Sequence, residues 1–301
     1  MRLKVHLTIL FLFLVQINLL AQNNKNSASG IAASNESFFL TDVSFINDAV
    51  FMGRKDSIAA PYIYPSFSYF DKSGFFADAS LSYLTKSEEN RVDLFLVSAG
   101  YLFEKKKFTA GFSGTAYFYN EDSYNVRSET VGDLSGFLSY DLKVAEASVL
   151  ASTFFNKGNS ADIFIGLMLD RTFYNQNQKF MANPSLTVYA GSQYFYQEYY
   201  KTSRLGNRKG NGSGAGISMA SSAAEVEIIE VSKFQLLNVA LGLPVQYQHK
   251  HFIFSFSPVL ALPQSSATIV SEDTLIKEEL ESTFYFSAGI SYWFHPKKTP
   301  N

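Results

Sequence analysis

The chain has 301 residues, no Cys and a formal net charge of −2. The near-neutral charge gives no reason to expect a nucleic-acid partner, and the missing Cys excludes disulfides and thiolate chemistry. Aromatic residues make up 16% of the chain, with 29 Phe and 18 Tyr but a single Trp, which is high for a soluble domain of this size.

The first segment has the layout of a cleavable signal peptide. A basic start, MRLK, precedes an apolar run that ends in a small residue, Ala21. We predict a signal peptide over 1–21 with cleavage near Ala21, then a disordered polar tail over 22–36. The alternative is an uncleaved membrane anchor, although two polar residues interrupt the apolar run. In either case the remainder of the chain leaves the cytoplasm.

Residues 38–50, FFLTDVSFINDAV, fit two kinds of element. Their alternation of apolar and polar residues is poor, and the spacing of the apolar positions also suits an amphipathic helix. This segment is therefore a first strand or an N-terminal helix.

From residue 61 onward the chain alternates with a period of two. The stretch FTAGFSGTAYFY, Phe108–Tyr119, places Phe108, Phe112 and Phe118 on one face and Thr109, Ser113 and Thr115 on the other. This is the pattern of a β-strand with one apolar face and one polar face. The pattern recurs in eight further segments: 61–70, 75–84, 131–142, 161–173, 180–196, 237–247, 252–262 and 283–294.

The distribution of charge distinguishes a membrane barrel from a soluble sandwich. The polar faces consist mainly of Ser, Thr, Gly, Asn, Gln and Tyr, whereas Lys, Arg and Glu lie mostly in connections such as KSEEN and EKKK. A soluble sheet exposes many charges on its polar face, but a transmembrane barrel has a charge-free band toward lipid and a small polar face toward its lumen. Aromatic residues at the strand ends would then form the interfacial girdles.

The connections alternate between short and long, which orients the strands. Outer-membrane barrels have short turns on the periplasmic side and long loops outside. If both termini are periplasmic, the strand number is even and 38–50 must be a strand. We predict an all-β fold, a transmembrane antiparallel β-barrel of about 12 strands over 37–295 with a tail over 296–301. The alternative has 10–11 strands plus an N-terminal helix. The segment EVEIIEV, 225–231, is expected to extend the next strand above the membrane.

The signal peptide, the repeated alternation and the aromatic-ended last strand, FSAGISYWF, resemble the broad class of Gram-negative outer-membrane β-barrel proteins. The resemblance implies an outer-membrane location, lipid contact and the barrel-assembly machinery as a partner during biogenesis. The segment HPKKTPN after the last aromatic residue departs from the usual terminal signal. No family with a defined substrate matches.

The expected lumen supplies the candidate functional residues. We predict that six polar residues line it: Ser113, Thr115, Tyr117, Gln193, Asn238 and Gln246. Five carboxylates are expected near the rims, Asp133 and Asp162 at the outer mouth and Asp78, Asp141 and Asp170 at the inner one. With about 12 strands the lumen is narrow. The sequence favours a porin-like channel for small neutral solutes, and a closed structural or surface-binding barrel is the alternative.

An outer-membrane lipid hydrolase is a third and more distant hypothesis. Such an enzyme needs a Ser hydroxyl activated by a His near the outer leaflet. Beyond the signal peptide the histidines are His249, His251 and His295, and all of them map to the periplasmic rim. We therefore predict no enzyme, no cofactor and no metal site.

Overall fold

The computed structural model describes residues 36–55, 59–86, 90–158, 160–201, 226–229, 231–271 and 274–296. The predicted signal peptide, nearly all of the predicted polar tail and most of the C-terminal tail lie outside these residues. In chain order the elements are β1 (Phe38–Ile46), β2 (Tyr62–Phe70), β3 (Phe75–Leu84), β4 (Arg91–Lys105), β5 (Phe108–Tyr119), β6 (Thr130–Asp141), β7 (Glu146–Asn156), β8 (Ala161–Asp170), β9 (Phe173–Tyr174), β10 (Phe180–Ala182), β11 (Ser185–Gly191), α1 (Tyr194–Lys201), β12 (Val226–Ile229), β13 (Gln235–Gly242), β14 (Val245–His249), β15 (Phe252–Pro263), β16 (Thr268–Ser271), β17 (Thr274–Lys277) and β18 (Thr283–Phe294).

The strands form a closed antiparallel barrel of 12 wall strands, which confirms the prediction. Each of β1 to β7 pairs with the next strand in the chain, and the last strand, β18, pairs back onto β1 in register, with Val43 opposite Ile290. Three wall strands consist of two segments each, namely β8 with β9, β10 with β11, and β13 with β14. Closure leaves no open sheet edge, which is what a sheet in lipid requires.

The segment at 38–50 is a strand. Phe38–Ile46 lies between β2 and β18 and pairs with both over its length. The poor alternation in the sequence has a simple cause, because the inward face carries Leu40 beside the polar Asp42 and Ser44. The helix alternative is therefore excluded.

The predicted strand over 180–196 is wrong in two respects. Pro184 interrupts it, and Pro244 interrupts the neighbouring strand, because proline has no N–H for the ladder. The two strands stay hydrogen-bonded beside the prolines, because Asn183 N donates to Pro244 O over 2.9 Å. The strand then ends at Gly191, and an eight-residue helix, α1, follows instead. No helix among the described residues is long and apolar enough to cross a membrane.

The prediction for EVEIIEV is also wrong. Val226–Ile229 does not continue a wall strand but pairs with β16, which in turn pairs with β17. These strands form a separate three-stranded sheet.

The two ends of the barrel differ. One end, here called the turn end, has the tight connections and both described termini; the other, here called the loop end, has the longer connections. At the turn end, Asp71 accepts hydrogen bonds from Ser73 N at 2.9 Å, Ser37 Oγ at 2.7 Å and Tyr69 Oη at 2.9 Å. The hydrogen bonds from Ser73, then those from Ser37 and Tyr69, hold the pKa of Asp71 below its ordinary value.

Candidate functional site

The outer face of the barrel is an apolar belt. Along β5 the exposed residues alternate with the buried ones, so that Phe112 is 65% exposed while the adjacent Ser113 is 4% exposed. The same alternation places Leu134, Ile163 and Phe284 on the outer surface of other strands. A continuous apolar surface of this extent is unfavourable in water and favourable in hydrocarbon. The chain is a transmembrane β-barrel.

The six predicted lumen residues all have buried side chains, and five of them lie on the inward face of wall strands. Ser113, Thr115 and Tyr117 point inward from β5, Asn238 from β13 and Gln246 from β14. Gln193 belongs to no strand. It precedes α1, and its carbonyl accepts the first helical hydrogen bond from Tyr196 N at 3.1 Å.

The five predicted rim carboxylates are buried instead of exposed to water at the two mouths. Asp78 accepts hydrogen bonds from Ser68 Oγ at 2.7 Å and Ser80 Oγ at 3.3 Å. Asp133 accepts hydrogen bonds from the hydroxyls of Tyr117 and Ser135. For Asp78 and Asp133, hydrogen bonds from neighbouring hydroxyls on the inward face replace the hydrogen bonds to water that the sequence alone predicts.

Asp162 has a structural role that the sequence did not indicate. Its Oδ1 accepts a hydrogen bond from Tyr194 N and its Oδ2 one from Phe195 N, both at 2.7 Å. These are N–H groups at the start of α1, so a wall residue caps a helix that follows in the loop. Ser192 Oγ and Asn156 Nδ2 also donate to this carboxylate, at 2.7 and 3.0 Å.

Asp141 and Asp170 lie at the turn end. Both face Glu146, because β7 pairs with β6 and with β8 and places Glu146 opposite each of them. No group of His, Asp and Glu side chains in the described part of the chain has the arrangement of a metal site.

The inward face of the wall is acidic. The strands bury eight carboxylates: Asp42, Asp78, Asp93, Asp133, Asp141, Glu146, Asp162 and Asp170. Among the described residues, the only buried Lys or Arg side chains are Arg54 and Arg127, and both come from loops. Among the described residues, the buried cations of the lumen therefore belong to segments that enter it from the loop end.

The first of these segments is a tight hairpin. Phe51 and Arg54 exchange backbone hydrogen bonds of 2.8 and 2.9 Å, and the two residues between them, Met52 and Gly53, have φ values of 51° and 78°. Two successive residues with positive φ form the turn that suits a two-residue hairpin. A Cβ on Gly53 would lie 3.0 Å from Pro263 Cβ, so the hairpin tip lies directly against the wall.

The second segment is the connection between β5 and β6, which contains Arg127. Its guanidinium carbon lies 4.4 Å from the ring centroids of Phe51 and Phe154 and 5.0 Å from that of Tyr117. The side chain is 1% exposed. A cation–π contact stabilises a protein more when the cation is removed from water than when it lies at the surface. Arg127 thus joins the hairpin to the barrel wall.

The third segment is α1. Phe195 packs on Phe51, with ring centroids 4.9 Å apart, and on Phe164 of the wall at 5.9 Å. We call the side chains that enter from the loops the plug, defined as Phe51, Arg54, Val126, Arg127 and Phe195. All five are buried. Phe51, Val126 and Phe195 belong to one hydrophobic cluster with inward side chains of the wall, and Arg127 stacks on rings of that cluster.

An ion pair holds the plug hairpin to the loop before β18. Arg54 Nη2 lies 3.0 Å from Glu278 Oε2, and Arg54 Nε donates to Glu278 Oε1 over 3.1 Å. Tyr196 Oη and Ala267 N donate to the same carboxylate, at 3.0 and 2.8 Å. Because Arg54 is almost fully buried, the ion pair is desolvated. Removal of either partner would leave the other charge buried and would strongly destabilise the contact.

The lumen is closed in this structure. Inward side chains from the middle of the wall to the turn end have almost no contact with solvent, including Ser68, Ser139 and Ser291. An open channel of this strand number would expose them to water. One cavity of about 110 Å³ lies beside the plug, where Phe51 and Arg127 meet the wall.

The histidines lie where the sequence places them, at the turn end. His251 packs against Trp293 with ring centroids 4.6 Å apart, and His295 packs edge-on against the same indole at 5.4 Å. His249 ends β14 beside the same turn. His251 and His295 are aromatic partners of the last strand.

The residues that close the lumen were not found by sequence analysis. Phe51, Arg54, Arg127 and Glu278 are all in connections, where single charges and aromatics are common. Their one shared signal is a charged or aromatic residue in a loop that flanks a strand with inward aromatics, and that signal does not show which loops meet.

No family model matches the chain, and no curated protein matches it. Among solved structures, the chain is similar to the KdgM porin, with 9% identity, a TM-score of 0.46, and coverage of 85% of this chain and 99% of that one. It is also similar to the NanC porin, with 11% identity, a TM-score of 0.45, and coverage of 84% and 98%. A third is LpxR from Salmonella typhimurium, with 10% identity, a TM-score of 0.40, and coverage of 85% and 100%. The barrel architecture of this chain rests on its own strand register and apolar belt.

Proposed function

We propose that this protein is a porin-like channel of the Gram-negative outer membrane for small neutral solutes, and that its plug holds it closed. The observation that carries the proposal is the origin of the obstruction at the loop end. The groups that meet there, Phe51, Arg127 and Phe195, come from connections and not from wall strands. A connection can withdraw from the lumen without breaking the hydrogen-bond ladder of the barrel.

The charge of the inward face supports the choice of solute. Eight carboxyl groups on the inward face of the strands would oppose the entry of anions into an open lumen, because like charges repel. When the plug withdraws, it takes with it the buried guanidinium groups of Arg54 and Arg127. The open wall would then be acidic and lined by hydroxyls and amides such as Ser113, Thr115 and Asn238, which suit neutral, hydrogen-bonding solutes.

A second candidate is a closed barrel that acts through its surface loops. One observation favours it. At the turn end the inward side chains of Leu40, Phe70 and Phe76 form a buried cluster of their own, and these residues belong to the wall. A barrel filled at this end by wall residues would conduct little even after the plug withdrew. We propose no enzymatic role, because the three described histidines lie at the turn end and two of them, His251 and His295, pack against Trp293.

Export and assembly belong to the same proposal. The signal peptide over 1–21, cleaved near Ala21, would direct the chain out of the cytoplasm. The last strand, with its exposed aromatic end, would be read by the barrel-assembly machinery. In the assembled protein the apolar belt would contact outer-membrane lipid, with the loop end facing outward.

The test is single-channel conductance of the detergent-folded protein in a planar bilayer. We would compare the wild type with a variant in which residues 49–59 are replaced by a short Gly/Ser linker, and confirm a folded barrel by the heat-dependent gel shift. The channel proposal predicts rare, brief steps for the wild type and long openings for the variant, with cations preferred over anions. A folded variant that never conducts would leave the closed barrel as the function.

A further inference from the structure

The cavity beside the plug has the features of a binding site. It lies between the plug hairpin and strands β1, β2, β15 and β18, and its volume is about 110 Å³. A single water occupies roughly 10–15 Å³ on such a measure, so the cavity offers about 7–11 water-sized positions. That is space for one small ring-shaped molecule and not for a chain of several.

Two hydroxyls face this cavity without a partner in the described chain. Ser257 on β15 and Ser287 on β18 lie directly opposite each other in register, both line the cavity, and both are 4% exposed. Neither Oγ makes a hydrogen bond with any described residue. A buried hydroxyl without a hydrogen-bond partner destabilises the protein, so two adjacent ones indicate that hydrogen-bonding groups of a ligand would be favoured within the cavity.

Their neighbours on the same strands do not lack a partner. Ser255 Oγ donates to Gly289 O over 3.4 Å, and Ser291 Oγ donates to Asp42 Oδ1 over 2.7 Å. Both lie farther along β15 and β18 toward the turn end and do not line the cavity. Among the described wall serines, Ser66 on β2 also has an unpartnered buried hydroxyl, but it stands alone and away from the cavity, whereas Ser257 and Ser287 form an adjacent pair that lines it.

Aromatic rings also line the cavity. Tyr62 and Tyr64 enter from β2 and Phe51 from the plug hairpin. The hydroxyl of Tyr62 is already engaged, because it donates to Asp93 Oδ2 over 2.6 Å. These rings therefore offer apolar surface, which suits the C–H face of a ring whose edge carries hydroxyls.

The charged groups that line the cavity balance each other. The lining contains one carboxylate, Asp48, and one guanidinium, Arg127. Asp48 pairs with Lys55 Nζ at 3.0 Å, and Ala60 N donates to it over 3.2 Å. Arg127 is stacked on aromatic rings as described above. Because the lining carries one negative and one positive group, its net charge is zero and gives no net attraction that would offset the desolvation of a charged ligand, so a neutral ligand is favoured.

We propose that this cavity binds a small neutral polyhydroxylated ring, of the size of one monosaccharide, with its hydroxyls on Ser257 and Ser287 and its apolar face on the rings of β2. The inference rests on the proposed function, because it identifies the class of the neutral solute. The ligand would meet Phe51 and Arg127 directly, so its binding and the position of the plug would depend on each other.

Binding is tested on the folded protein in detergent, separately from conductance. Saturation-transfer NMR with glucose, galactose and mannose as probes would be followed by titration, with glucuronate, glucosamine and cyclohexanol as the charged and apolar counterparts. We expect at least one neutral hexose to bind in the millimolar range and to outcompete all three counterparts. Binding of none of the hexoses, or preference for a counterpart, would overturn the inference.

Variants connect the binding to the two hydroxyls. Each of Ser257→Ala and Ser287→Ala is expected to weaken hexose binding by about 3–10-fold, as for loss of one hydrogen bond, without lowering the temperature of the gel shift. The matched control is Ser139→Ala, which removes a buried inward hydroxyl that donates to Ser148 at 3.1 Å and does not line the cavity. Unchanged binding in both cavity variants would overturn the inference.

The outcome is independent of the channel proposal. Conductance steps without hexose binding would overturn the ligand site and leave the channel. Hexose binding without conductance would support the site and assign it to a closed, ligand-binding barrel.

Discussion

Replacement of Arg127 by Ala tests how the plug is held. The guanidinium touches three aromatic rings, from the plug hairpin and from the wall strands β5 and β7, at centroid distances of 4.4 to 5.0 Å. The barrel ladder makes no use of this side chain. The substitution should therefore release the plug while the barrel stays folded.

The expected magnitude follows from the burial of these contacts. A desolvated cation–π contact contributes about 2 kcal/mol, and contacts that share one cation are not additive. With the lost packing included, closure of the plug should weaken by about 2–4 kcal/mol. At 1.4 kcal/mol for each factor of ten, the open fraction should rise roughly 30-fold to several hundred-fold.

The assay is the open probability of single channels at neutral pH. The matched control is Arg171→Ala, because Arg171 also stacks on a ring, Phe173 at 5.2 Å, but is exposed at the turn end. The control should leave the open probability unchanged. If Arg127→Ala folds and opens no more often than the control does, the guanidinium does not hold the plug.

Four further predictions test the rest of the structure. Glu278→Gln leaves the buried Arg54 without its counter-charge, so the free energy that holds the plug closed should fall by up to about 3 kcal/mol. The plug should therefore open more often, and trypsin should cleave the loop end faster. Gly53→Ala adds a Cβ at φ 78° and 3.0 Å from the wall, so it should raise the open probability, whereas Gly136→Ala, where the nearest atom would be 3.4 Å away, should not. Phe112→Arg places a charge in the apolar belt and should cost about 2–4 kcal/mol of folding free energy in vesicles, measured by urea titration of tryptophan fluorescence. Asp71→Ala should lower the gel-shift temperature at pH 7. Because the pKa of Asp71 is lowered in the folded state, its carboxylate stabilises the barrel above the unfolded pKa of about 3.9. The difference between variant and wild type should therefore shrink as the pH falls below that value.

The barrel was predictable because its rule is local. Phe108–Tyr119 and Phe75–Leu84 have the bounds that their alternation predicts, since each position must face either lipid or lumen. Parity then required a strand near 38–50, where the local pattern was poor. The breaks at Pro184 and Pro244 were also present in the sequence, but the apolar alternation on both sides of each proline favoured one continuous strand.

The plug was not predictable, because it depends on contacts between distant connections. Phe51 meets Phe154 and Phe195, more than 100 residues away, and nothing in the periodicity of the strands records such a meeting. The burial of Asp162 has the same cause. Its position on a strand indicates a lumen carboxylate, whereas its function as a helix cap depends on a helix in the loop after β11.

A reversible crosslink tests the central claim, that a plug closes a channel. The chain has no Cys, and a Cβ at Gly53 would lie 3.0 Å from Pro263 Cβ, so Gly53→Cys with Pro263→Cys needs only a small shift to form a disulfide. Single-channel conductance of this variant would be recorded before and after reduction in the same bilayer. We predict no steps when it is oxidised, with the plug tied to the wall, and discrete cation-preferring steps after reduction. Equal conductance in both states, or a folded barrel that is silent in both, would contradict the account.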